Sequence, residues 1–201
     1  RDARITKDTT YLNQDNTLSI EITIEEGEPY KFGKINFAGN KIYTNTELSR
    51  QLGIKEGDIF DQSILDARLF GSPEGTDISS LYLDDGYLFF NATPVEIAAT
   101  NRKIDLEIRI YEGKQARVNK VLVKGNTKTN DHVIMRELRT RPGDLFKRSD
   151  IMRSQRELAQ MQYFNPEKFD VKVDPDPGRN EVDITYVVEE KSSDQIQLQG
   201  G

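Results

Sequence analysis

One alternating pattern occurs three times along this chain at nearly constant spacing, and it constrains the fold more than any other feature. Leu18, Ile20, Ile22 and Ile24 alternate with Ser19, Glu21, Thr23 and Glu25. Ile104, Leu106, Ile108 and Ile110 alternate with Lys103, Asp105, Glu107 and Arg109, 86 residues on. Val182, Ile184, Tyr186 and Val188 alternate with Glu181, Asp183, Thr185 and Val187, a further 78 residues on. Strict period-2 alternation predicts a strand with one buried and one wet face. A fixed period predicts one structural unit repeated along the chain. The first copy has no matching elements ahead of it, so residues 1–27 read as the closing hairpin of a preceding unit.

The period of 86 holds through the first half of each later unit. Lys34-Ile35-Asn36-Phe37-Ala38-Gly39-Asn40 matches Lys120-Val121-Leu122-Val123-Lys124-Gly125-Asn126. Both predict a short strand ended by a turn pair that tolerates positive φ. A helix start follows each. Thr44-Asn45-Thr46-Glu47 has the form of a capping box, and Asn130 is an N-cap candidate ahead of Asp131. Leu48 and Leu52 lie one helical turn apart, as do Ile134 and Leu138 at the same offset. Gly57-Asp58-Ile59-Phe60 and Gly143-Asp144-Leu145-Phe146 are loops before a second helix. In the later unit that helix is predicted over about 149–162, with Ile151, Leu158 and Met161 on one face. In the earlier unit it is interrupted at Gly71-Ser72-Pro73-Glu74-Gly75, because proline lacks a backbone donor and glycine is a poor helix former. Tyr87 and Tyr163 are only 76 apart, so the earlier unit carries ten extra residues near 70–78. A hairpin closes each unit, turning at Asn101-Arg102 and between Asp174 and Asn180. The predicted order is β-α-α-β-β in each, an α+β architecture. The expected boundaries are 28–113 and 114–191, with a tail at 192–201. The cores predicted are Ile35, Phe37, Leu48, Leu52, Ile108 and Ile110 in one unit. In the other they are Val121, Val123, Ile134, Leu138, Ile184 and Tyr186, and the two should stay separate.

A search for chemistry returns little. No apolar run approaches the roughly 20 residues of a membrane-spanning helix. There is no cysteine, hence no disulfide and no thiolate metal site. His132 is the single histidine and sits in the first turn of a predicted helix, where it reads as a surface residue. Asp84-Asp85 read as the end of a helix before Gly86 rather than as paired catalytic acids. Glu25-Glu26 and Glu189-Glu190 recur at equivalent strand ends, which argues for a structural role. No phosphate-cradling glycine pattern is present. Basic residues are scattered without interleaved aromatics, which argues against nucleic-acid binding. We therefore expect no catalysis, no metal and no cofactor. Charge is uneven: residues 1–113 carry 12 basic and 20 acidic side chains, and residues 114–191 carry 16 and 13. The second unit could thus face an anionic surface or an acidic partner.

Taken together, the Gly-Asn after the first strand, the Gly-Asp-x-Phe loop and the aromatic that follows the second helix resemble a POTRA domain. The stretch from Leu69 through Gly75 to Leu81-Tyr82-Leu83-Asp84-Asp85-Gly86-Tyr87 resembles the POTRA domains of BamA-like outer-membrane assembly factors. Ile196-Gln197-Leu198-Gln199-Gly200-Gly201 resembles the start of the transmembrane β-barrel that follows the last such domain. The resemblance implies a three-stranded mixed sheet in order 1-3-2 with two helices on one face. It implies tandem domains: the end of a third, then a fourth and a fifth. It implies a periplasmic location beside the outer membrane, with unfolded outer-membrane proteins, accessory lipoproteins and the chain's own C-terminal β-barrel as partners. Clients would add a strand to the open edges near 88–98 and 168–174, at Val95 and Ile97 and at Phe169, Val171 and Val173. Pro94 would remove one donor from the first edge. Arg136, Glu137 and Arg139, on the outer side of the later unit's first helix, would meet a lipoprotein, with Glu137 the leading candidate. A transporter of the same superfamily and a cell-division scaffold are alternatives. The short Tyr111-Glu112-Gly113-Lys114 linker suggests limited articulation between units.

Overall fold

The computed structural model describes residues 3–72 and 75–191. The barrel-like segment at 196–201 lies outside the described residues, as do Pro73 and Glu74 in the insertion. Strands β1 (Arg4–Leu12) and β2 (Leu18–Glu25) form an antiparallel pair. Two mixed sheets follow. In the first, β3 (Lys31–Ala38), β5 (Lys103–Tyr111) and β4 (Asn91–Thr100) lie in the order β3-β5-β4. In the second, β6 (Arg117–Lys124), β8 (Glu181–Val187) and β7 (Asp170–Asp176) lie in the order β6-β8-β7. The outer strands β3 and β6 run parallel to the centre, and β4 and β7 run antiparallel. This is the predicted 1-3-2 order.

Helices cover one face of each sheet. In the first unit these are α1 (Asn45–Leu52), α2 (Gln62–Asp66), a π-helical turn at Ala67–Gly71, and α3 (Ile78–Asp84). In the second they are α4 (Asp131–Met135) and α5 (Arg148–Gln160). The Thr44 capping box forms in both directions, and Gly53 ends α1 in the left-handed conformation. Asn130 occupies the N-cap of α4 but makes no side-chain capping bond. That helix is shorter than expected: Arg136, Glu137 and Arg139 lie beyond its last residue. The cause is local. Glu137 and Leu138 donate to carbonyls three residues back, and the Arg139 N–H leaves the helix to reach Ser154 Oγ at 2.8 Å.

Two cores form. One centres on Phe37, Leu48, Leu52, Ile108 and Ile110 with Phe32, Leu65, Leu69 and Tyr82, and Ile35 packs at its margin. The other centres on Val121, Ile134, Leu138, Ile184 and Tyr186 with Phe146, Leu158 and Phe164, and Val123 is partly buried. They remain distinct, although Leu83, Leu88 and Phe89 of the first unit pack against the second core. This corrects the expected strand start at 88: those residues serve the joint, and β4 begins at Asn91. β7 also begins and ends later than expected, because Pro175 stays paired with Val182 and the turn starts after Asp176. A proline is tolerated there because β7 is an edge strand.

The alternation in β2 does not produce a buried face. Ile20, Ile22 and Ile24 are 63%, 50% and 57% exposed. The equivalent strands β5 and β8 have helices over their apolar side, and none lies over this hairpin among the described residues.

A carboxylate clamp recurs in both units. Glu112, just after β5, accepts the Lys41 and Ile42 N–H groups at 2.7 and 2.9 Å. Glu190, at the equivalent place, accepts the Lys128 N–H at 2.8 Å and the Thr129 N–H at 2.6 Å. Each closes the turn after the first strand onto the end of the last. Gly39 and Gly125 make this approach possible: both have φ near +90°, and a Cβ would sit 2.3 Å from the Ile110 carbonyl oxygen or 1.9 Å from that of Val188.

Candidate partner-binding surfaces

Two kinds of surface stand out, edge strands and a charged depression. β4 and β7 each pair on one side only. Unpaired edge groups can receive another strand. The opposite edges are partly covered by the Gly-Asp-x-Phe loops. Phe32 and Val118 donate to Asp58 and Asp144 carbonyls at 2.8 and 2.9 Å, and Gly57 and Gly143 donate back at 2.8 and 2.7 Å. The loops therefore leave β4 and β7 as the more open sides.

The two open edges differ in quality. Each carries a proline, Pro94 in β4 and Pro175 in β7, but β4 also has a register shift between Glu96 and Ala98. Val95 is half-buried, and Ile97, within that shift, is 57% exposed. β7 keeps continuous register over all seven residues. Val171 and Val173 turn toward their own core, so this edge offers backbone rather than those side chains. Phe169 precedes β7 and lines a groove of about 430 Å³ with Met152, Gln155, Ala159 and Pro166 along α5.

Arg136, Glu137 and Arg139 come together around a depression of about 400 Å³ that also includes Arg141, Asp144 and Glu157. Glu137 accepts from Arg136 Nε at 2.8 Å. Arg139 donates from its guanidinium to both carboxylate oxygens of Glu157, at 2.6 to 3.1 Å. These hydrogen bonds hold the Glu157 carboxyl below its ordinary range and raise Arg139 further. The pair is solvent-accessible, so its contribution to folding is small, but it fixes a planar fork of donors on the surface. Sequence reasoning found Arg136, Glu137 and Arg139 and missed Glu157. Its partner lies 18 residues away on another element, and no local spacing announces it. Among the described residues, no three His, Cys, Asp or Glu side chains gather as a metal site, and no helix is long and apolar enough to cross a membrane.

The family described as POTRA, surface antigen variable number repeat, matches residues 30–113 and 116–191. The chain is 28% identical over 185 residues, 90% of its length, to the outer membrane protein assembly factor BamA of Nitratidesulfovibrio vulgaris. It is 28% identical over 206 aligned positions, its full length, to the factor of the same name in Neisseria meningitidis serogroup B. It spans 22% and 25% of those two relatives. The crystal structure of POTRA domains 3–5 of Haemophilus influenzae BamA superimposes with a TM-score of 0.72 at 23% identity, covering 94% of this chain and 73% of that one. That likeness establishes a shared fold.

Proposed function

This chain belongs to the POTRA family, and on that premise we propose that it is a periplasmic module of an outer-membrane protein assembly factor. The names carried by its relatives support the setting. The module works by binding rather than by catalysis. Unfolded outer-membrane barrel proteins add a strand to the open edges, and accessory lipoproteins of the assembly complex meet the depression around Glu137. A β-barrel of the same protein, next to the membrane, belongs to this reading as a further partner. The observation that carries the client role is the pair of one-sided strands, with β7 the better acceptor because its register is unbroken. Backbone pairing is largely indifferent to sequence, which suits a factor handling many clients.

Cysteine scanning tests this, because the chain has no cysteine of its own. Lys172→Cys on β7 should cross-link a thiol-bearing peptide from an outer-membrane β-strand. Lys34→Cys on the opposite side of the first sheet should not. Equal cross-linking at both positions would remove the edge from the mechanism.

A further inference from the structure

α5 is completed from outside its own unit. The first N–H groups of any helix need acceptors beyond the helix, and Lys147 at the N-cap supplies none from its side chain. The Ser149 N–H instead donates to Asp84 Oδ1 at 2.7 Å, at the end of α3 in the first unit. One residue earlier, Arg148 Nη1 donates to Ser80 Oγ at 3.1 Å and lies 3.5 Å from Asp77 Oδ2. Asp77 is fully buried. It also accepts the Ser72 and Ser80 N–H groups at 3.1 and 2.9 Å, and both serine hydroxyls of Ser79 and Ser80.

The joint is close-packed around these contacts. The Ala116 N–H donates to the Gly86 carbonyl at 2.8 Å, and Gln115 Nε2 donates to that of Asp85 at 2.8 Å. Gly86 has φ +84°, and a Cβ there would lie 2.6 Å from the Leu145 side chain. The inserted residues create this arrangement. They break what is one helix in the second unit and let α3 start afresh at Ile78, capped by Asp77, against the next unit.

The other end of the chain of contacts is the charged depression. Ser154, buried in α5, accepts the Arg139 N–H at 2.8 Å and donates to the Asp150 carbonyl at 2.7 Å. One turn on, Glu157 holds the Arg139 guanidinium. Arg139 is thus placed by α5, and α5 is seated by the first unit.

We propose that Asp84 is a positioning residue acting across the joint: it completes the N-terminus of α5 and, through α5, sets Arg139 on the partner-facing surface. The functional consequence rests on the reading of that surface as the lipoprotein site. The coupling itself does not. In regulatory terms, a displacement of Asp84 would reach the depression through α5.

Amide hydrogen exchange on the whole chain tests the coupling without a partner. Asp84→Ala should speed exchange about tenfold at Ser149, as expected for loss of a helix cap, and several-fold at the Arg139 amide. Ile184 and Tyr186 in β8 should change less than about twofold, since their local stability is set by the core. Asp84→Asn, which keeps Oδ1 as an acceptor, should restore most of the protection. Acceleration confined to Ser149, or none, would overturn the proposal. If Asp84→Ala loosens β8 as well, Ser80→Ala becomes the deciding variant, because it loosens the seat of Arg148 and Asp77 beside the start of α5 while leaving Asp84 in place. An unchanged Arg139 amide in that variant also overturns it. Capture of the assembly-complex lipoprotein is scored separately. Altered Arg139 exchange with unaltered capture leaves the coupling standing and sinks the surface reading instead.

Discussion

In the second unit, residues 148–160 run as one helix, whereas the equivalent stretch of the first is α2, a π-helical turn, an inserted loop and α3. Much around that stretch is shared: sheet order, the Gly-Asp-x-Phe bridge, the turn glycine and the glutamate clamp. The contrast separates what a unit needs in order to fold from what it needs in order to join a neighbour. The clamp and the sheet recur because each core requires them. The broken helix occurs once, and it lies at the joint. A π-helical turn and a loop forfeit regular hydrogen bonds. That loss is offset by the Asp77 cluster and by the trans cap on α5.

The largest effect should come from the shared part. Gly39→Ala and Gly125→Ala each force a side chain into positive φ and against a carbonyl oxygen of the last strand. Each should destabilise its unit by more than about 4 kcal/mol, the range in which single substitutions are exceptional, measured by urea midpoints. A large difference between the two would break the claim that the clamp is common to both. A smaller effect should distinguish the units. Glu137 is matched at the repeat offset by Gln51, whose Nε2 donates to the Thr76 carbonyl in the insertion. Glu137→Lys should weaken lipoprotein capture about tenfold, or about 1.4 kcal/mol, with circular dichroism unchanged. Gln51→Lys should leave capture intact, and equal losses would assign the effect to net charge.

The smallest expected effect is on pH dependence. Partial burial raises the Glu190 carboxyl, but the hydrogen bonds from Thr127, Lys128 and Thr129 outweigh it and bring it from an ordinary 4.5 down to about 2. A carboxyl depressed by folding stabilises the native state above its unfolded value, and that contribution fades as pH falls through the folded one. Wild-type stability should therefore decline between about pH 4.5 and 2. Glu190→Gln should flatten that slope, and an identical slope in the variant would mean the clamp is neutral to folding.

Much of this was legible in the residues. The capping box at Thr44, the strand alternation and the Gly-Asn turns announce themselves because their signals are local. Glu190 was recognised as structural at its strand end, although its amide partners lie about 60 residues away; Glu112, which makes the same clamp, was read only as part of the linker. Helix α4 was overextended because the periodicity of Ile134 and Leu138 continues past the point where Arg139 turns to Ser154. The joint was missed. Asp84 reads equally well as a helix end, and Leu88 and Phe89 as a strand start. One sign was available: Lys147 stands at an N-cap, where an acceptor is expected, and an uncapped start invites a cap from elsewhere. Of the candidate site, Arg136, Glu137 and Arg139 were visible, and Arg141 and Glu157 were not.

Gly86 and Leu145 have a consequence for heredity. They touch across the boundary between units, where Gly86 holds a positive φ and a Cβ would force the Leu145 side chain to move. A repeat with such a face is not freely exchangeable. Recombination between residues 113 and 116 would bring together a glycine and a leucine selected in different backgrounds. The pair is therefore expected to pass between lineages as one block, and chimeras cut at that boundary should refold worse than chimeras cut at the Gly27 junction.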